Sequence, residues 1–309
     1  MQEPDDRRTV DELITLYEVA PDVQDIFTEG RSDRNFLSEN LFGEDRPTLC
    51  NIYAVSDRVS ISDGDLINAG IMVGERGRVI WLAQQLAKRI PHQTSAALIA
   101  DKDFASLQAD TQEEVHGLLY TDYSSMEAYA LNERTTSKLL HIPIGAPEYV
   151  TPSMLLSAIK PALISLFLIR LTLRESGTGA TIPPRLLGKW DLEDQSEEKV
   201  REVFRLALHT LPAKERNGET PESLYSRYVE YESKVDGDFR HYFSGHDASV
   251  MIVRFLKIEC IQVFNREGRR ALLDPAVMEL VMMSCIEKSH LDDETMFQAL
   301  RQWVQTRTW

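Results

Sequence analysis

The sequence predicts an α/β domain with a mostly parallel sheet, followed by an all-helical C-terminal domain, and three observations carry that prediction. Strand-like apolar runs alternate with amphipathic helical patterns from Val23 to the helix that starts in TDYSSMEAYALNE, the signature of strands joined by helical crossovers. Two of those runs, ending at Thr28 and Ala100, pass straight into acidic residues. Beyond Leu140 the apolar spacing is helical throughout, with no strand alternation.

Taken in order, Thr9 to Ala20 forms a short helix with Asp11 near its start and Val10, Leu13, Ile14 and Tyr17 on one face, stopped by Pro21. A strand from Val23 to Thr28 meets Gly30, read as a turn glycine, and then a helix to Leu41 capped by Ser32 or Asp33. The second strand, Cys50 to Val55, leads into a loop rich in Asp, Ser and Gly from Ser56 to Gly70. The helix Glu75 to Ile90 places Val79, Leu82, Ala83, Leu86 and Ile90 on one face. Strands Ala96 to Ala100 and Leu118 to Tyr120 complete the sheet. This organisation divides the chain into an N-terminal helix (1–20), an α/β domain (21–140) and, after the proline-rich HIPIGAPEYVTP, a helical domain (150–309). The expected helices there are Ser153 to Glu175, Ser196 to Leu211, Pro221 to Val235, Asp247 to Phe264, Pro275 to Lys288 and Asp292 to Trp303.

Composition narrows the class. Hydrophobic residues at 43% and charged residues at 27% fit a globular chain, and the formal charge of -15 repels polyanions, so nucleic-acid binding requires a local basic patch or metal ions. Cys50, Cys260 and Cys285 are widely spaced in apolar surroundings and read as reduced core thiols. The N-terminal residues lack a signal-peptide pattern, and PALISLFLIRLTL (Pro161 to Leu173) is short for a membrane span and carries Arg170. The expectation is a cytoplasmic protein with no membrane association.

The chemistry concentrates at the strand ends. In an extended chain Asp101 and Asp103 share a face while Lys102 points away. With Glu29 from a neighbouring strand they supply the hard oxygen ligands that Mg2+ or Mn2+ takes. Glu29 serves equally as a metal ligand or a general base. Arg31 and Arg34 are the candidate phosphate clamps, with Lys102 a weaker one. Glu127 reads either as a further metal-site acid or as the acid of a Ser124–Glu127 capping box, and Asp122 as a metal-site acid or a turn residue. His246 is a candidate substrate contact or proton donor, with Asp247 a helix cap as the plainer alternative for that motif. Arg76 and Arg78 read as exposed arginines of a glycine turn, and Tyr225, Tyr228 and Tyr231 as a helix-packing stripe.

The Glu-Gly of TEGRSDRNFL and the Asp-x-Asp of IADKDF resemble the Toprim domain shared by topoisomerases, primases and OLD-type nucleases, over about residues 21 to 135. LLYTDYSSMEAYAL and FRHYFSGHD are similar to a narrower group of Toprim nucleases that includes the effector of the PARIS anti-phage system. The resemblance implies a magnesium-dependent nuclease in which Glu29, Asp101 and Asp103 correspond to the Toprim acids. For the PARIS type it further implies tRNA as substrate in preference to DNA, and control by an ABC-type ATPase partner. A homodimer is the expected assembly, from the long apolar helix at Ser153 to Glu175. A non-catalytic magnesium-binding regulator and a DNA-cleaving Toprim nuclease are the alternatives. An Asp-x-Asp phosphatase is disfavoured because Ala105 stands where a hydroxyl or β-branched residue is expected.

Overall fold

The computed structural model describes residues 7–42, 50–92, 94–108, 114–265 and 268–307. In chain order the elements are α1 (Val10–Val19), β1 (Gln24–Thr28), α2 (Arg31–Leu37), β2 (Cys50–Ala54), α3 (Val55–Arg58), α4 (Asp63–Asn68), α5 (Glu75–Arg89), β3 (Ala96–Ala100) and β4 (Leu118–Tyr120). They continue as α6 (Glu133–Leu139), α7 (Pro152–Glu175), α8 (Pro184–Leu187), α9 (Glu197–His209), α10 (Pro221–Glu232), α11 (Gly245–Glu259), α12 (Pro275–Ser284) and α13 (Thr295–Thr306). The segment expected as one loop after β2 contains α3 and α4. Ser62 caps α4 by accepting from the Asp65 amide at 3.1 Å, so short polar residues read as loop formers here start a helix.

The chain forms two compact units, and the division differs from the one expected. The first comprises Met1–Lys102, Gln112–Asp122 and Glu287–Trp309; the second comprises Asp103–Thr111 and Tyr123–Ile286. The last helix, assigned above to the helical domain, belongs with the sheet. Sequence periodicity identifies a helix but carries no information about which layer its apolar face meets.

In the first unit the four strands are all parallel, in the order β2-β1-β3-β4. Every residue of β1 and of β3 is buried, as a parallel sheet covered on both faces demands. On one face Phe27, Leu98 and Ala100 join the core made by Leu13, Ile14 and Tyr17 of α1 and by Val79, Leu82 and Leu86 of α5. On the other face α13 packs: the Gln24 amide donates to the Trp303 carbonyl at 3.3 Å, and Phe297 meets Phe36 of α2 edge to face at 6.1 Å. A capping box fixes α1, with the Glu12 amide donating to Thr9 Oγ1 and the Thr9 amide to Glu12 Oε2. At the start of α5, Gly77 is buried so closely under the Met72 carbonyl that a Cβ would overlap it.

The second unit is built around α7. This helix is 24 residues long, enough to cross a membrane by length and apolar character, and so longer than its greasiest stretch suggests. More than half of that apolar stretch is buried inside the protein. Arg170 of α7 meets Asp247 of α11 in a bidentate pair at 2.7 Å for both bonds. The Asp247 side chain is 1% exposed, so the ion pair locks α7 to α11 and Asp247 does not serve as a cap. Tyr228 of α10 is buried against Phe204 of α9 and donates to Ser165 of α7 at 3.3 Å, which makes the centre of the tyrosine stripe packing. Burial pushes its phenol up to about 12. The three cysteines are buried and none forms a disulfide.

Candidate functional site

The carboxyl ends of β1 and β2 are level, paired through Thr28–Ala54, and β3, in register with β1 through Phe27–Leu98, runs one residue further to Ala100. Glu29 therefore follows β1 beside the point where Asp101 follows β3, the position at which open parallel sheets hold ligands. Glu29 Oε1 accepts the Asp101 amide at 2.7 Å and ties the two strand ends together. The bend after Glu29 is held by Thr28, whose hydroxyl donates to the Gly30 carbonyl at 2.9 Å, and by Asp33, which accepts the Gly30 amide at 2.9 Å. Gly30 has an extended φ of -124°, so the turn does not need the left-handed conformation expected of it. Neither Ser32 nor Asp33 is the cap residue; Gly30 is, with Asp33 in the first turn bonding back to it.

Asp103 departs from the strand-alternation expectation. Strand β3 ends at Ala100, and Asp103 opens a 3-10 turn, Asp103–Ser106, with φ of +49°. A left-handed residue ends the two-residue side-chain period, and Asp is among the residues that tolerate it. The Asp103 amide donates to the Ser124 carbonyl at 2.8 Å, placing this residue in the helical unit. Glu29 and Asp101 thus form a pair within the sheet unit.

The cations expected to meet phosphate are already engaged. Arg31 makes a bidentate bond to Asp57 of α3, with Nη2 at 2.8 Å and Nε at 2.9 Å, and Arg34 stands 3.5 Å from the same carboxylate. The Arg31 hydrogen bond holds the Asp57 carboxyl below its ordinary range. Lys102 Nζ donates to the Asp122 carbonyl at 3.3 Å and its amide to Thr121 Oγ1 at 3.0 Å. Asp122 itself caps α13 by accepting the Met296 amide at 3.2 Å. Arg76, read from sequence as an exposed turn arginine, is half-buried and donates from Nε to the Asp101 carbonyl at 2.9 Å. It is the cation in the sheet unit aimed directly at the end of β3. Its position one residue into the helix before β3 is the signal that could have found it.

A second constellation lies wholly in the helical unit. The capping box expected of Ser124 and Glu127 is not formed: Ser124 Oγ donates to the Arg240 carbonyl at 2.9 Å, and the 3-10 turn Met126–Ala130 has no side-chain cap. The Glu127 side chain instead lies against the start of α11. A Cβ on Gly245 would overlap its carboxylate. His246 and Glu279 of α12 complete a trio in which one ligand atom from each residue lies within 4.8 Å of the others. His246 Nδ1 stands 2.8 Å from Glu279 Oε2, and that hydrogen bond, aided by the charges of Glu279, Glu127 and Asp247 against the cost of burial, pushes the imidazole up to about 9. Glu279 was missed in the sequence; its signal is that it is the one charged residue of the otherwise apolar helix PAVMELVMMS.

Both arrangements offer donors to a divalent cation: oxygen alone from Glu29 and Asp101, and mixed nitrogen and oxygen from the trio. Comparison with protein-family models finds no match, and comparison with curated proteins finds no relative.

Proposed function

We propose that the chain is a metal-dependent phosphodiesterase, a nuclease of the Toprim type that acts as a toxic effector in anti-phage defence. RNA such as tRNA is the favoured substrate and an ATPase partner the controlling element. The observation that carries this reading is the bond between Glu29 and Asp101 at the carboxyl ends of adjacent parallel strands. Their all-oxygen donor set fits the hard cation Mg2+, which takes one or two carboxylates and keeps waters and substrate phosphates as its other ligands. When bound, such an ion supplies charge neutralisation at a scissile phosphate and a more acidic water.

The chain's own residues divide the remaining work. The Glu29–Asp101 bond fixes the Glu29 carboxylate on the backbone at the end of β3, a rigid support of the kind that precise positioning requires. Arg76 holds the Asp101 carbonyl from Nε and brings a positive charge to that strand end. Arg31 and Arg34 would contact phosphate by exchanging Asp57 for it, which makes binding dependent on ionic strength. An acidic chain at -15 has poor general affinity for nucleic acid, so cleavage is restricted to substrates delivered or selected by other contacts.

The test is incubation of the full chain with total tRNA, plasmid DNA and single-stranded DNA, with and without Mg2+ or Mn2+, alongside Glu29→Ala. Metal-dependent cleavage of tRNA that disappears in the variant is expected. Cleavage of DNA alone supports the DNA nuclease, and full activity in Glu29→Ala overturns the assignment. The engagement of Arg31 and Arg34 by Asp57 favours the regulatory alternative, for which metal binding without cleavage is the diagnostic outcome.

A further inference from the structure

We propose that Glu127, His246 and Glu279 bind a divalent transition metal of the zinc class within the helical unit. This site does not depend on the nuclease reading, which rests on Glu29 and Asp101.

Three observations carry the assignment. Glu127 is 9% exposed, and its carboxylate lies against the first turn of α11. A carboxylate so largely withdrawn from water favours a compensating cation. The second observation is the room left for that carboxylate. Residue 245 is glycine at the point where a side chain would strike the Glu127 oxygens, so the backbone at the start of α11 accommodates this one acid. The third is convergence: a 3-10 turn, the first turn of α11 and the middle of α12 each contribute one donor, and the donor atoms fall within 4.8 Å of one another. Ligands about 2.0–2.2 Å from a common zinc ion stand roughly 3–4 Å apart, so modest side-chain adjustment closes the trio on an ion.

The ligand chemistry selects the metal. Magnesium prefers oxygen ligands and an octahedral shell, whereas one imidazole with two carboxylates suits zinc and its neighbours. Three protein ligands leave a position for water, the pattern of zinc centres that keep an open site. The exposed His246 gives the metal its route from solvent.

The experiment is calorimetric titration of the full chain with Zn2+ and with Mg2+, repeated on His246→Gln, Glu279→Gln and Glu29→Ala. Thermal melts accompany each variant. One equivalent of Zn2+ should bind at least about a hundredfold more tightly than Mg2+. Each trio variant should weaken Zn2+ by about tenfold or more, and Glu29→Ala should leave it unchanged. His246→Gln alters an exposed side chain and should keep the wild-type melt; Glu279→Gln supplies the same readout from a different helix. Failure of wild type to bind Zn2+, equal affinity for Mg2+, or binding insensitive to both trio variants overturns the proposal. Co2+ supplies an independent check: weak visible bands without a near-ultraviolet thiolate band are expected, and a thiolate band would assign the metal to cysteine instead. Nuclease activity is measured separately, so loss of cleavage in Glu29→Ala with Zn2+ binding intact separates the two assignments.

Discussion

The end of the parallel sheet and the trio in the helical unit solve the same problem, gathering negative charge, by opposite means. At the sheet, Glu29 and Asp101 are brought together by strand register, and a backbone amide already satisfies one oxygen of Glu29 at 2.7 Å. In the helical unit, Glu127, His246 and Glu279 are brought together by helix packing, from a 3-10 turn and two helices. A carboxylate placed by a sheet is positioned before any ion arrives. A carboxylate placed by packed helices depends on the integrity of that packing, and the ion itself contributes to it.

The strongest way to break this comparison is to attack the helix packing. Asp247→Ala leaves the Arg170 guanidinium without its partner next to His246, and the expected cost is about 3–5 kcal/mol in chemical denaturation. A loss near that of an exposed pair, about 0–1 kcal/mol, would show that packing and not charge locks α7 to α11. Next in size, Asp101→Asn preserves the amide bonded to Glu29 and removes only the charge, so cleavage should fall about a hundredfold, or about 2.7 kcal/mol, without a change in the melt. Gly245→Ala should then lower Zn2+ affinity about tenfold by displacing the Glu127 carboxylate, measured by the same titration, and leave cleavage rates alone.

The smallest effect concerns a carboxylate inside the sheet. Asp25 is buried, and desolvation raises its carboxyl above the ordinary value of 3.8 even though Tyr17 and Asn51 donate to it. The folded chain therefore keeps this proton to a higher pH than the unfolded chain. Its stability falls as pH rises from 3.8 through the raised folded value, and the penalty persists above it. Asp25→Asn should remove that slope, so the variant gains on wild type as pH rises. The gain at neutral pH should be no larger than one hydrogen bond, about 1 kcal/mol, read from melts at mildly acid and neutral pH.

The contrast also explains what could be read in advance. The four strands were legible as short runs centred on apolar residues, AALIA of β3 wholly so, and Glu29 and Asp101 were legible because an acid directly after such a run is conspicuous. Asp103 was misplaced because the alternation rule applies only while the backbone stays extended, and its positive φ is not encoded in spacing. Arg31 and Arg34 were assigned to phosphate for their place beside the glycine turn; their pairing with Asp57 was not legible, because Asp57 lies in a segment read as loop, where α3 presents it to both. Glu127 and His246 were singled out, but for separate roles. What joins them is Glu279, and helix packing sets that meeting over long sequence separations.

The membership of α13 in the sheet unit bears on how the molecule is made. One face of the sheet is covered by α1 and α5, both synthesised early, but the face carrying Gln24 meets Trp303, nearly 280 residues later in the chain. During translation the first unit therefore stays unfinished while the whole helical unit is being made, with an apolar strand surface awaiting Phe297 and Trp303. On the ribosome, the Glu29–Asp101 centre reaches its supported form only after residues beyond Glu287 have emerged. A chain proposed to cleave tRNA would thus gain its supported centre only after the helix that carries Phe297 and Trp303 has emerged.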